Sequence, residues 1–439
     1  MKGWIQTAIA FGLASQVLLW PLGARAQNAP ADLPSTEQAL AAIDQDPTVL
    51  QARRAVQVAT HSAAMRAVGP YEWTVGEIGQ RRHIDGSGSG TGNSTEWSAQ
   101  IERPIRIGGK AALDRDIGEA SLRQAYAELA AARQGAARVL ADQWLDWLAA
   151  GQSRARLQEQ VGFAETSLKA VETRRKAGDA SLLEVGVAQG DVAEARRQAS
   201  LAAAAQTRAQ ASLRVRYPWL SLVPLVPLVP LVPVVPVVPL TAPQLSEPMA
   251  LEGTEAKWRQ RILAVSGRVR AAQEALRKAE ITAARARADR IPDPTLGLFT
   301  ASEAFRTEPV VGLSVSIPLG GTYRAQAALE AAQQAEVARA VVDRETREME
   351  VEVATQVAEA VSSLEHWRLA EQAIAAAADA ARLTQRAYTL GEADLQTLLL
   401  VRRQSLDAVN AAASARADAV RARYRLLIDA QLLWQFGRG

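Results

Sequence analysis

The chain has 439 residues and not one cysteine. That absence excludes disulfides, thiolate metal sites, cysteine nucleophiles and lipid attachment through an N-terminal cysteine. Soft-metal ligands are scarce as well: three histidines (His61, His83, His366), far apart in sequence, and four methionines do not make a metal site. Aromatic residues are only 5% of a chain that is 48% hydrophobic. The apolar share is mostly Ala, with Leu and Val behind it, which implies helices packed closely along their length, with apolar seams in place of a thick aromatic core. Neither charge dominates, at 50 Lys and Arg against 47 Asp and Glu. Without a local surplus there is no electrostatic footprint for nucleic acid. No nucleophile stands at a recognisable spacing from a histidine, and the acidic run Glu345, Glu348, Glu350, Glu352 lies among arginines and reads as helix surface. No catalytic residue, cofactor site or metal site is expected.

The N-terminus carries an address. Lys2 precedes an apolar stretch from Ile5 to Trp20, and Ala24-Arg25-Ala26 fits small-x-small cleavage before Gln27, as in a secretory signal. A retained anchor is the alternative, but the run is short for one. The mature chain has no helical stretch of 18 consecutive apolar residues, hence no expected spanning helix.

The plan then occurs twice, at an interval of about 213 residues, far beyond solenoid periods. Around Gly178 and Gly391 a helical pattern stops, an acidic residue follows (Asp179, Glu392), and Ser181 or Asp394 precedes a new apolar periodicity. This is a helix stop, a tight turn and an N-cap. Upstream run long helical patterns, about residues 109–176 and 321–389, each roughly 100 Å at 1.5 Å per residue. Their apolar positions keep a 4,3,4,3 spacing, Leu157, Val161, Ala164, Leu168, Val171 and Val353, Val357, Ala360, Leu364, Trp367, as in coiled-coil packing.

Before each long helix the pattern changes to period two. Thr95, Trp97, Ala99 and Ile101 alternate with Glu96, Ser98, Gln100 and Glu102, and Val311, Leu313, Val315 and Ile317 alternate with Gly312, Ser314 and Ser316. These read as strands with one apolar face, partnered by Tyr71 to Gln80 and Pro294 to Ala301. Pro104 with Gly108-Gly109 and Pro318 with Gly320-Gly321 close the two units. Asp85 to Gly92 is a Gly-rich loop that superficially resembles a phosphate cradle, but no helix follows it. Pro224, Pro227, Pro230, Pro233, Pro236 and Pro239 recur every third residue within Leu222 to Leu240. That period matches polyproline II, a semi-rigid spacer of roughly 55 Å, able to pack along the helices or to serve as a ligand for a Pro-binding domain.

The expected fold is mainly α with a small β part. Residues 1–26 are the signal peptide; 27–217 the first repeat, with strands at about 71–82 and 94–105 and a helix pair over 109–216; 218–250 the Pro-rich linker; and 251–439 the second repeat, with strands at about 294–302 and 309–319 and a helix pair over 321–435. Four strands of bilayer-crossing length cannot close on themselves, and open edges are prohibitive in lipid. Three chains would supply a 12-strand outer-membrane β-barrel, continued by a helical barrel around one water-filled duct.

With the order signal peptide, strand-loop-strand, long helix-Gly-helix, Ile291-Pro292-Asp293-Pro294 before the third strand, and Ser316-Ile317-Pro318-Leu319-Gly320-Gly321 entering the helix, the chain resembles the outer-membrane efflux protein family, the TolC-like exit ducts. The resemblance covers nearly the whole mature chain apart from the Pro-rich insert. It implies a homotrimer in outer-membrane lipid that joins a periplasmic adaptor and an inner-membrane pump, such as one of the resistance-nodulation-division type. It also implies that Gly178, Asp179, Gly391 and Glu392 mark the periplasmic tips where the adaptor docks. Members often narrow this end with acids six residues after the tip glycine; the corresponding positions are Glu184 and Thr397. The strand alternation would turn Glu96 and Glu102 into the barrel lumen. Metal ions and small toxic compounds are the expected cargo; a protein-secretion exit duct and a secreted coiled-coil scaffold without a pore are the alternatives.

Overall fold

A computed structural model describes residues 30–85, 92–220, 244–303 and 307–435. The signal peptide, most of the Gly-rich loop and the whole Leu-Val-Pro repeat lie outside the described residues.

The elements run α1 (Thr36–Asp44), α2 (Pro47–Val68), β1 (Thr74–Ile84), β2 (Gly92–Pro104), α3 (Lys110–Ala177), α4 (Leu182–Arg216), α5 (Glu255–Val265), α6 (Gly267–Ala288), β3 (Thr295–Glu303), β4 (Glu308–Ser316), α7 (Thr322–Thr389) and α8 (Leu395–Asp429). In both halves a helix of 68 residues is followed by one of 35. Helix dominates, as the Ala-rich composition requires. The four strands form one antiparallel sheet in the order β1-β2-β3-β4, so β1 and β4 are its edges. β4 stops at Ser316, short of the expected Leu319, because Pro318 has no N–H to give a ladder. β1 starts at Thr74, three residues later than expected, and Tyr71 instead packs against Arg106 and reaches Asp293.

Two pairs of helices go beyond the sequence expectation. α2 and α6 rise to the sheet ahead of β1 and β3. α2 packs on α3, α3 on α6 and α6 on α7; farther from the sheet α3 pairs with α4 and α7 with α8. Two glycines permit the closest approaches. A Cβ on Gly118 would stand 2.9 Å from Ala63 Cα, and one on Gly267 2.5 Å from Ala131 N. Local signals start these helices well: Asp46 caps α2, accepting from the Thr48 amide at 2.9 Å, with Pro47 in the first turn, where its missing N–H costs nothing.

The expectation of seams alone needs correcting. The few aromatics concentrate where α1, α2, α3, α4 and α8 meet, with Trp144, Trp147, Tyr217, Tyr424 and Trp434 buried among Leu140, Leu145, Leu148 and Ile428. Trp144 and Trp147 meet edge to face at 5.0 Å. Buried Asp32 accepts from the Tyr424 hydroxyl at 2.7 Å and the Ser246 amide at 2.9 Å, while its carbonyl accepts from Trp144 Nε1 at 2.7 Å. Burial pushes the Tyr217 hydroxyl up to about 12, so it stays a neutral donor, 3.4 Å from Asp46 and from the Ala136 carbonyl. Farther from the sheet the seams are as expected: Val161, Ala164, Val192, Ala195 and Ala199 interlock α3 and α4. The acidic run on α7 lies at the surface, as expected, and also reaches a second helix. Arg268 of α6 pairs with Glu345 at 2.9 Å and with Glu348 and Glu352 at 3.2 Å, so these carboxylates bind two helices together.

Gly118→Ala and Gly267→Ala each force α3 away from its neighbour. Each is expected to cost about 1–3 kcal/mol, read as a fall in the thermal denaturation midpoint; unchanged midpoints would show that these approaches are slack.

Candidate transport duct

The sheet has two unlike faces. Cross-strand pairs Val75↔Ile101, Ile101↔Leu298, Leu298↔Leu313, Ala99↔Thr300 and Leu296↔Val315 put Val75, Trp97, Ala99, Ile101, Leu296, Leu298, Val311, Leu313 and Val315 on one face. It is bare, with Leu313 78% and Val311 80% exposed, and mostly apolar, although β1 adds Glu77 and Arg81 to it. The other face carries Gln80, Arg82, Ser94, Glu96, Ser98, Gln100, Glu102 and Ser314. Glu96 is buried there, accepting from Gln80 Nε2 at 2.7 Å with Arg82 at 3.3 Å; Glu102 lies on the same face and is partly exposed. A face whose β2, β3 and β4 positions are largely apolar, opposite a face rich in polar groups, is the division a membrane barrel needs.

Below the sheet lies a polar joint for which the sequence reading assigned no roles. Lys110, at the first turn of α3, is 1% exposed; its ammonium donates to the Ile291 carbonyl at 2.6 Å and to Asp293 at 2.8 Å. Asp293 also accepts from the Ile107 amide at 3.0 Å and, more weakly, from the Tyr71 hydroxyl at 3.4 Å. Asp114 pairs with Arg106 at 3.2 Å and Arg285 at 2.8 Å, and Arg106 donates to the Val68 carbonyl at 2.7 Å, satisfying the open end of α2. The joint therefore clamps α2, α3, α6, the exit of β2 and the entry of β3. Burial alone would raise the Asp293 pKa, but hydrogen bonds from Lys110 and the Ile107 amide, with the Lys110 charge, outweigh it and hold the carboxyl below its ordinary 3.8. The available signal was the Ile-Pro-Asp-Pro run and a rare lysine directly after Gly-Gly.

At the far end are the two turns. Gly178 (φ 90°) and Gly391 (φ 78°) adopt the left-handed conformation that ends a helix. The Asp179 amide donates to the Arg174 carbonyl and the Glu392 amide to the Ala387 carbonyl, both at 2.8 Å. The Asp179 and Glu392 side chains are exposed. Glu184 and Thr397 occupy the same place in their turns, the third residue of the next helix, but act differently. Glu184 completes a capping box with Ser181, accepting from the Ser181 amide at 2.6 Å. Thr397 offers its amide to Asp394 at 2.7 Å. That backbone bond, ahead of a small burial penalty and the field of Arg174, lowers the Glu184 pKa. The turns are tied together by Arg174, whose guanidinium lies 5.4 Å from the Tyr388 ring and donates to its hydroxyl; the sequence pattern carried no sign of this link.

Residues 38–215 match the family model described as outer membrane efflux protein. The fold is that of solved outer-membrane channels. These include VceC of Vibrio cholerae (15% identity, 90% of this chain and 95% of that one, TM-score 0.67) and CmeC of Campylobacter jejuni (13%, 92% and 86%, 0.64). The open state of MtrE of Neisseria gonorrhoeae is another (17%, 93% and 90%, 0.58). A comparison with curated proteins found no significant match.

Asp293→Ala strands the buried Lys110 charge and is expected to cost about 3–5 kcal/mol, with partial recovery when Lys110→Met is added. Because the folded pKa of Asp293 is depressed, its contribution is present above about pH 4 and is lost as pH falls through the folded value. Denaturation midpoints of the wild type and the double variant should therefore converge in acid. Parallel pH profiles would argue against the joint.

Proposed function

We propose that the chain is a member of the outer membrane efflux protein family, passive channels and not enzymes, and forms the outer-membrane exit duct of a tripartite efflux pump; the match of residues 38–215 to the family model and the shared channel fold support this. Three copies close a 12-strand barrel in outer-membrane lipid and a helical barrel below it, and metal ions or small toxic compounds pass through from a periplasmic adaptor and an inner-membrane pump of the resistance-nodulation-division type. Each chain supplies two repeats, 27–217 and 251–439, joined by the Pro-rich segment.

The observation that carries this reading is the bare apolar face of a sheet with two unpaired edges. In hydrocarbon such edges must pair, and the helices support the same closure. α7 forms one flank of the chain and carries exposed Val337, Val351, Val361, Leu369 and Leu390, spaced so that they fall on one stripe. The opposite flank, α2 and α4, carries exposed Met65, Leu50, Val215, Leu201 and Leu183. Gly118 against Ala63, Gly267 against Ala131, Arg268 against Glu348, Arg196 against Glu165 and Arg174 against Tyr388 fix the heights of the rods. On that scale Val337, Val351, Val361 and Leu390 stand, in that order, within about one helical turn of Met65, Leu50, Val215 and Leu183, and Leu369 and Leu201 about two turns apart. One rotation that brings β4 to the next copy's β1 also brings stripe to stripe.

The tips at Gly178, Asp179, Gly391 and Glu392 receive the adaptor, and Glu184 and Thr397 stand at the narrow end. Glu96 and Glu102 line the lumen. The carboxylate of Glu184 is shared with its cap and with Arg174 at 3.9 Å, so it biases the pore only weakly. In planar bilayers Glu184→Gln should lower the cation preference by no more than about five-fold, the equivalent of ~1 kcal/mol; a larger change would make Glu184 the dominant filter. The duct itself is tested by deleting the gene and restoring it. Tolerance to metal ions or organic toxins should fall and return, and unchanged tolerance to all of them would contradict efflux.

A further inference from the structure

At the rim where sheet meets helices, Arg103 is a cation that the joint does not neutralise. Arg106, Arg285 and Lys110 each pair with Asp114, Asp289 or Asp293. Arg103, at the end of β2, has no ion-pair partner among the described residues. It lies on the outward apolar face, in register with Leu296 and two residues from Ile101. Its Nε donates to the Tyr71 carbonyl at 2.8 Å, and its guanidinium rests 5.4 Å from the ring of Trp73, itself 62% exposed. These two contacts fix the plane of the guanidinium through one edge and one face and leave the terminal nitrogens with donors to spare.

The surroundings say what comes to those donors. Ile105, Ile317, Leu319 and Tyr323 are exposed around the same rim, an apolar and aromatic border of the kind found at a membrane interface. Arg66, Arg287 and Arg290 are exposed nearby, so the rim is positive. We infer that Arg103, held on Trp73, binds the phosphodiester of an anionic phospholipid in the periplasmic leaflet. Guanidinium and phosphate match as paired donors and acceptors. A zwitterionic lipid brings its own cation into an already positive rim, so net-anionic headgroups are preferred. The corresponding place in the second half, before Pro318, is Ile317, so there is one site per chain. The inference rests on the reading of the sheet as part of an outer-membrane barrel.

The test is native mass spectrometry of the detergent-extracted protein with added phosphatidylglycerol, phosphatidylcholine of the same acyl chains, or inorganic phosphate. Phosphatidylglycerol should be retained in preference to the other two, and Arg103→Gln should weaken its retention about five-fold. Trp73→Leu, which removes only the platform, should also weaken it and keeps the test alive if Arg103→Gln does not assemble. Equal retention of both lipids, unchanged phosphatidylglycerol retention in the variants, or equally strong capture of inorganic phosphate would overturn the site. The same spectra separate the two readings: absence of a trimer contradicts the duct, whereas a trimer without lipid preference contradicts only this inference.

Discussion

An open sheet edge in hydrocarbon has no water to satisfy its amides, and every larger feature of this molecule follows from that constraint. The sheet offers an apolar face fit for lipid and a polar face fit for water, yet β1 and β4 end it on both sides. On the proposed reading one chain is a sector of a barrel. Because α2 leads into β1 and α7 leaves β4, the flanking helices inherit the rotation that joins the edges. A head-to-tail interface of this kind closes into a ring when the rotation divides the circle evenly. The small residues that dominate the composition then have a purpose, since rods that pack closely side by side make a wall around a channel.

Rigidity between the sheet and the tips comes from two places of different chemistry. At the sheet, buried charges meet in pairs: Lys110 with Asp293, Arg285 and Arg106 with Asp114. Such pairs give direction more than net stability, because desolvation offsets much of their attraction. Midway along the rods, the Trp144, Trp147 and Tyr424 core holds α3 and α8, from opposite halves of the chain, against the short α1. Beyond it the packing thins to seams of Val and Ala, until Val171, Ala180, Ala188, Leu395 and Leu398 bury together at the two turns, beside the Arg174–Tyr388 contact.

Much of this was legible in the residues because the two relevant periodicities are clean. The alternation from Thr95 to Glu102 and from Val311 to Ile317 gives strands, and Gly178 and Gly391 stop helices where a left-handed residue is needed. What escaped has physical reasons. α6 carries weakly patterned Ala and Arg, since it is covered on two sides by α3 and α7, and α2 packs on α3 while leaving Leu50, Val58 and Met65 exposed on its flank, so neither shows one clean apolar stripe. The Lys110 joint unites residues about 180 positions apart, a distance that no local pattern spans. The role of Glu184 was legible in the Ser181-x-x-Glu184 spacing of a capping box, yet the family resemblance pointed to a pore role instead; the geometry shows its carboxylate turned back to the Ser181 amide. The link from the Glu345 run to α6 escaped because its partner, Arg268, arrives from a different helix.

The central claim is that one rotation closes both sheet and helices, and a chain without native cysteine allows a direct measurement. With Val351→Cys on α7 and Leu50→Cys on α2 in the same chain, oxidation in isolated outer membranes should give covalently linked dimers and trimers on a denaturing gel, with neither single variant giving trimers. A double variant that remains monomeric under oxidation would contradict the account.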